Sequence, residues 1–394
     1  MSGEEEMNGP PPRGFPTAEF EARLERAQRL MAQADWDALL LTTEPEVRWF
    51  SGFHTLFWLS PTRPWFLVVP RAGKPVAVVP EIGAPVMART WIEDIRSWPA
   101  PRPADDGLGL LDQALRELAG PRGRIGLPMG HESTLRMPLA DYGRLKAGLP
   151  EARFGDATPL VRALRRVKSE REIAKVAWAC RIASGAFGAL PAWLAEGLSL
   201  AEVFRGFRRD LLARGADDVP YLVGAAGAEG YEDVISPPGE EPLRRGDVVM
   251  MDTGATFDGY YCDFDRNLAL GTAGDRARRA YETLWRATEA GLAAVRPGET
   301  CAGLFRVMAS VIEAEGYRAG NVGRFGHGLG MQLTEPPSNA AWDDTVLEPG
   351  MVLTLEPGLS FAPGLGQVHE ENLVVRAEGA ELLSRRAPPE LPVI

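Results

Sequence analysis

The sequence predicts an α+β chain in two parts: a smaller α/β N-terminal domain and a larger C-terminal domain of helices and antiparallel strands. Three observations carry this. At 394 residues the chain is too long for one ordinary domain. Up to residue 158, short apolar runs alternate with amphipathic helical patterns, as in an α/β layer. Beyond that point long helical patterns come first, and β-branched strands bounded by turn residues are interleaved with them.

Residues 1–16 hold four prolines and three glycines with little apolar content, so a flexible arm is expected. The N-terminal domain is assigned to 17–158. It opens with a helix over 18–34, where Phe20, Leu24, Ala27, Leu30 and Met31 fall at helical spacing. The runs 38–42, 65–70 and 75–79 are apolar and bounded by Pro, Gly and Thr, which predicts buried strands; 108–118 reads as a helix and 124–127 as a strand. The C-terminal domain is assigned to 159–394. A long helical stretch over 160–190 leads into helices at 198–215, 276–294 and 301–315, with strands at 247–252, 259–270, 351–356 and 367–375.

Composition narrows the partners. The chain is 45% apolar and 25% charged, the balance of a soluble globular protein. No window approaches the roughly 18 apolar residues of a membrane span, and the opening Met-Ser-Gly-Glu-Glu-Glu-Met is acidic where a signal peptide would be basic. A net charge of −11 disfavours a nucleic-acid surface, which needs a basic patch. Cys180, Cys262 and Cys301 form no Cys-x-x-Cys pair, which suits a reducing compartment. A cytoplasmic protein acting on small molecules or short peptides is expected, without membrane or nucleic-acid partners. Gly224, Gly227 and Gly230 imitate a phosphate loop, but no Lys-Ser/Thr follows, so no nucleotide site is assigned.

The chemical signal lies in acids placed inside strands, where they are rare unless paired or bound to a cation. Asp252 ends the apolar run Val248-Val249-Met250-Met251, and Asp263 and Asp265 follow in Tyr260-Tyr261-Cys262-Asp263-Phe264-Asp265-Arg266. Strand alternation puts Tyr261, Asp263 and Asp265 on one face. A hairpin of the two strands would let Asp252 face Asp263, and such a pair repels unless a cation lies between. His327 sits in Gly326-His327-Gly328, where backbone can approach a ligand closely; Glu356 ends a strand before Pro357-Gly358, and Glu370 heads another. Four carboxylates and one imidazole suit hard to borderline divalent ions such as manganese, iron or cobalt better than a thiolate-type zinc site.

These motifs together resemble the M24 metallopeptidases: Asp-x-Gly at Asp252, Gly-Tyr-x-x-Asp ending at Asp263 with Arg266 three residues on, Gly-His-Gly at His327, Glu-Pro-Gly at Glu356, and Glu370. Residues 164–187 are similar to the entry helix of that family's pita-bread fold, and 44–53 to a segment of the creatinase/prolidase N-terminal domain. The resemblance covers roughly residues 18 to 390. It implies that Asp252, Asp263, His327, Glu356 and Glu370 hold two divalent ions, manganese foremost with iron, cobalt or zinc as substitutes. It also implies that Glu356 moves the proton from the attacking water to the leaving amine.

Four departures from the family pattern bear on substrate. Family members that cleave before proline carry a histidine before the first aspartate strand, one shortly before the ligand histidine and one seven residues after it. Here those regions are 231–238 without histidine, the neighbourhood of Gly323, and Thr334. Asp265 stands where relatives place a threonine. A dinuclear metallohydrolase of a C–N bond in a small peptide or amide is therefore expected, without strict prolyl specificity. Asp265 and Thr334 are expected to work in the site, with Arg266 as a substrate or counter-charge contact. Two other readings stay open: a metal-dependent lyase of the dimethylsulfoniopropionate type on the same scaffold, and a non-catalytic binding protein. The resemblance further implies a homodimer in which His54, Phe57 and Trp58, in the aromatic stretch 54–60, line the partner's pocket.

Overall fold

The computed structural model describes residues 9–60, 62–319 and 323–394. Half of the expected arm, residues 1–8, lies outside the described residues; 9–16 form neither helix nor strand. The described chain divides into two compact units at Arg165/Arg166. That boundary lies seven residues beyond the expected 158, at the end of a helix the pattern did not split.

The N-terminal unit is one mixed sheet with helices. Its strands are β1 (Ala38–Leu41), β2 (Phe66–Pro70), β3 (Val76–Pro80), β4 (Asp94–Trp98), β5 (Arg124–Leu127) and β6 (Arg153–Asp156), in the order β4-β3-β2-β1-β5-β6. The pairs β1/β2 and β2/β3 are antiparallel; β1/β5, β3/β4 and β5/β6 are parallel. Every residue of β1, β2 and β3 is buried, which is why those runs read as continuously apolar rather than alternating. The helices are α1 (Thr17–Gln33), α2 (Glu44–Ser51), α3 (Ala84–Met87), α4 (Leu108–Ala119), α5 (Leu139–Gly148) and α6 (Thr158–Arg166). Leu111, Ala114 and Leu115 of α4 pack on Leu40, Val68, Val78 and Ile125.

In the C-terminal unit the expected 160–190 helix is broken. After α6, Ser169 caps α7 (Glu170–Ala189): its hydroxyl accepts the Glu172 N–H while the Glu172 carboxylate takes the Ser169 N–H. This reciprocal cap fixes the start of a new helix and overrides the unbroken apolar pattern. Ser199 caps α8 (Leu200–Ala213) in the same way. The stretch 170–192 is long and apolar enough by composition to cross a membrane, but 61% of that window is buried inside the molecule, as in a core helix.

The remaining elements are β7 (Asp218–Ala228), β8 (Asp247–Phe257), β9 (Tyr260–Tyr261), β10 (Phe264–Ala269), α9 (Asp275–Ala294), α10 (Cys301–Ala314), β11 (Arg318–Ala319), β12 (His327–Gly328), β13 (Glu335–Ser338), β14 (Val352–Leu355), β15 (Gly358–Ala362), β16 (Leu365–Val368), β17 (Glu371–Arg376) and β18 (Gly379–Leu382). They form three sheets, β10-β8-β7 with β9 on β8, β11-β15-β16, and β13-β12-β14-β17-β18. Leu284, Leu304, Met308 and Ile312 of α9 and α10 pack on Leu353, Leu355, Leu373 and Val375, all fully buried. At ~1.5–3 kcal/mol for each such side chain, this layer holds β14 and β17 firmly behind the acids they carry. β7 is too rich in Gly and Ala to read as a strand, yet a Cβ on Gly224 would come 2.2 Å from the Met250 carbonyl, so the close pairing with β8 needs glycine there. The supposed phosphate-loop glycines Gly224 and Gly227 are strand residues.

Candidate metal centre

Donor atoms of Asp263, His327 and Glu370 lie within 4.8 Å of one another, and all three residues are buried. They come from three places: the short break between β9 and β10, the start of β12, and the residue just before β17. His327 Nε2 is 3.4 Å from Asp263 Oδ2. Its Nδ1 is 2.9 Å from the Gly328 carbonyl, which can only accept, so Nδ1 carries the hydrogen and Nε2 presents its lone pair to the acids. Gly326 has φ +109°, and a Cβ there would meet the Thr354 carbonyl at 2.2 Å, so glycine is required for His327 to reach this place.

Asp252 and Glu356 are half-buried at the rim of the same cluster. The register corrects one expectation: the residue directly opposite Asp252 is Asp265, not Asp263. Asp263 falls just before β10, outside this register. Tyr221 of β7 lies beside the Asp252 carboxylate and favours its ionised form; the residue paired directly with Tyr221 is Gly254, where a Cβ would lie 3.1 Å from the Tyr221 Cβ. Burial raises the Asp252 carboxyl to about 7. Burial and then the Asp252 charge raise Glu356 to about 8. Asp263 and Glu370 are pushed well above the carboxylate range, first by burial and then by neighbouring carboxylates. Burial lowers the His327 imidazole to about 4, keeping it neutral.

The donor set fits divalent cations. Asp252 Oδ1, Asp263 Oδ1, Asp265 Oδ2 and Glu370 Oε1 are buried without a hydrogen-bond partner. A buried carboxylate left so is costly, and several adjoining ones more so, unless positive charge sits among them.

Other expected residues have different places. Arg266 is not a substrate contact: its guanidinium donates to the carbonyls of Asp265 (2.6 Å), Glu370 (2.9 Å) and Arg385 and to Glu371 Oε2 (2.9 Å). Those bonds tie the Glu370 backbone to β10 and leave the fork spent. His369, beside Glu370, is turned away from the cluster, with Nδ1 3.1 Å from Thr288 Oγ1 and Nε2 3.1 Å from Arg386. Thr334 is half-buried in the bend before β13. The next residue, Glu335, staples that bend, accepting the N–H groups of Met331 (2.9 Å) and Gln332 (3.1 Å) and the Lys168 ammonium (3.1 Å). In the N-terminal unit, Trp58 packs on Phe53 and Trp65 under the Arg136 guanidinium, and His54 lies 3.4 Å from Glu44. The exposed apolar side chains of that turn are Leu56, Phe57 and Leu59, not Trp58. Sequence reasoning missed Tyr221 and Asn372; Asp-x-Gly at Asp252 was the one local sign of the first.

A neutral imidazole among buried carboxylates on antiparallel strands defines a metallohydrolase. The chain belongs to metallopeptidase family M24, whose sequence model matches residues 174–378, and the creatinase/prolidase N-terminal domain matches residues 23–167. The catalytic unit thus has the pita-bread fold that the resemblance implied. A probable dipeptidase PepE of Mycobacterium tuberculosis is 28% identical over 387 residues, 97% of this chain and 98% of the relative. A Xaa-Pro dipeptidase of Pyrococcus furiosus is 30% identical over 270 residues, 65% of this chain and 73% of the relative. The crystal structure of dipeptidase PepE from Mycobacterium ulcerans superposes with a TM-score of 0.83 at 28% identity, covering 96% of this chain and 99% of that one.

Proposed function

We propose that the protein is a dinuclear metal-dependent dipeptidase that hydrolyses the amide bond of short peptides without strict demand for proline. The observation that supports it most is the buried Asp263–His327–Glu370 cluster with unpartnered carboxylate oxygens facing one another. The names of the similar relatives, dipeptidase and Xaa-Pro dipeptidase, point to the same bond. Asp252, Asp263, His327, Glu356 and Glu370 would hold two divalent ions, with manganese the best match for an oxygen-rich set containing one imidazole. Bound there, the ions supply a nucleophile from water near neutral pH and polarise the scissile carbonyl.

The chain's own residues do the rest. With cations bound, Glu356 would be ionised; it then takes a proton from the attacking water and delivers it to the leaving amine. Tyr221 beside Asp252 favours its ionised form. Arg266 holds the Glu370 backbone in place. The exposed Leu56, Phe57 and Leu59 support a homodimer through the N-terminal unit, and three buried free thiols suit the cytoplasm. No observation favours the lyase or the non-catalytic reading.

The test is amino-acid release from a panel of dipeptides by chelator-stripped protein and by protein reloaded with manganese. Release only after reloading, abolished in Glu356→Gln, is the expected result. No release from any dipeptide by protein that has taken up metal overturns the proposal.

A further inference from the structure

We propose that Asp265 is an additional oxygen donor to the cations of this centre, making five carboxylates where the ligand set Asp252, Asp263, Glu356 and Glu370 supplies four. The inference rests on the metallohydrolase reading and deepens it.

Asp265 is 2% exposed and stands directly opposite Asp252 in the antiparallel β8/β10 pair. Directly opposed side chains on one face of such a pair have Cβ atoms about 4.5–5.5 Å apart, and like charges there are destabilising. Burial makes that repulsion worse. The position is therefore a poor one for an acid whose only duty is to hold a strand.

The two oxygens of Asp265 are treated differently. Oδ1 accepts from Asn267 Nδ2 at 3.2 Å. Asn267 is itself fixed, since Nδ2 also donates to the Val368 carbonyl (2.8 Å) and Oδ1 accepts from the Tyr231 hydroxyl (2.7 Å). This relay holds one oxygen at the back and leaves the carboxylate little freedom to turn. Oδ2 is buried and has no hydrogen-bond partner, as are Asp252 Oδ1, Asp263 Oδ1 and Glu370 Oε1. Four neighbouring carboxyl groups, Asp263 and Glu370 of the donor cluster with Asp252 and Asp265, thus each keep a bare oxygen, and cations would be the partners that satisfy them.

The neighbouring arginine bears on Asp265 by its charge but makes no bond to the bare oxygen. Arg266 donates to the backbone carbonyl of Asp265, not to its carboxylate, and directs its other nitrogen to Glu371 and Arg385. With Asp265 ionised, five carboxylates and a neutral imidazole outweigh two divalent ions by one negative charge. A centre so charged draws hard cations more strongly than a four-carboxylate one.

The experiment measures Mn²⁺ stoichiometry and affinity by titration calorimetry and elemental analysis for the full-length wild type, Asp265→Asn and Asp265→Thr. The melting temperature of each chelator-stripped protein is recorded alongside. The wild type should bind two ions. Both variants should lose roughly 10- to 100-fold in affinity for at least one ion, the range found when groups supporting a metal site are removed. Their metal-free melting temperatures should be unchanged or higher, because a buried carboxyl oxygen without a partner has gone. Two ions bound by all three proteins with equal affinity overturns this inference alone. So does weaker binding accompanied by a lower metal-free melting temperature in both variants, which would make Asp265 a structural acid. A wild-type protein that takes up no divalent ion overturns the metallohydrolase reading as well.

Discussion

The side chain of Asn372 holds both backbone groups of Asp263: its Oδ1 accepts the Asp263 N–H at 2.9 Å and its Nδ2 donates to the Asp263 carbonyl. Asp263 lies in the short gap between β9 and β10, where no named strand pairs it. One amide on β17 therefore does for this residue what a neighbouring strand does elsewhere, and so links two ligand-bearing segments. Asn372→Ala leaves two buried backbone groups bare. A loss of about 2–4 kcal/mol in unfolding free energy, together with weaker metal binding, is expected in denaturant titration and calorimetry. Unchanged values for both would show the splint to be idle.

The acids at the centre set a pH dependence with a definite sign. Asp252 and Glu356 hold their protons to about 7 and 8 when folded, and Asp263, Asp265 and Glu370 are also raised. Unfolded carboxyls release theirs near 4, roughly. Between those limits the folded state binds more protons, so this contribution is complete below the unfolded value and fades as pH rises through the folded ones. His327 and His369, lowered to about 4 and about 3, act in the opposite direction below the ordinary imidazole value, two groups against five. Metal-free protein should melt at a lower temperature near pH 8 than near pH 5.5, roughly, and saturating Mn²⁺ should abolish most of that fall. A metal-free melting temperature that rises over this range would contradict the assignment.

The ligand residues were legible because an acid within an apolar strand is expensive, and Asp252, Asp263, Glu356 and Glu370 all stand within or beside such runs. What the pattern could not supply was register. Alternation alone assigned Asp263 and Asp265 to one face; only the pairing of β8 with β10 shows that Asp265 is the residue facing Asp252, and Asp263 falls outside that pairing. Tyr221 was hidden because β7 is rich in glycine and alanine, residues of poor strand propensity that are admitted here by close pairing. The break in the long 160–190 stretch was legible in Ser169-Glu170-Arg171-Glu172, a capping box, and was outweighed by the unbroken apolar pattern. Arg266 was misassigned because its partners, Glu370, Glu371 and Arg385, are over a hundred residues distant in sequence.

Xaa-Pro dipeptides should be poor substrates. The region where relatives carry the first extra histidine begins at Tyr231, whose hydroxyl is engaged with Asn267, and the last is Thr334, half-buried in its bend. Neither offers an imidazole to a prolyl carbonyl. Turnover of Xaa-Pro dipeptides should fall below about 10 per second, a median enzyme value, and below that of non-prolyl dipeptides under the same manganese loading. Preference for proline across the panel would refute this.

Leu56 and Leu59 are 76% and 84% exposed on one short 3₁₀ turn of the N-terminal unit. Two large aliphatic side chains so bare mark a contact surface. Sedimentation equilibrium at micromolar concentration should give twice the chain mass for the wild type, and the Leu56→Glu/Leu59→Glu double variant should sediment as a monomer. A wild-type monomer, or an unchanged dimer in the double variant, counts against this surface.

Tyr221 acts on metal through Asp252. Its hydroxyl sits beside several carboxylates, and burial followed by their charges pushes its ionisation far above the usual phenol range, so it remains a donor at every working pH. The hydroxyl favours the ionised Asp252 carboxylate, opposing the burial that raises that group to about 7. Tyr221→Phe removes the hydroxyl and keeps the ring. A hydrogen bond to a charged group contributes ~1.5–3 kcal/mol, so Mn²⁺ affinity at pH 7 should fall by roughly 10- to 100-fold. The loss should shrink as pH rises and Asp252 ionises without help, whereas a purely structural role for the hydroxyl would leave the affinity deficit constant with pH. An affinity equal to the wild type at pH 7 would remove Tyr221 from the site.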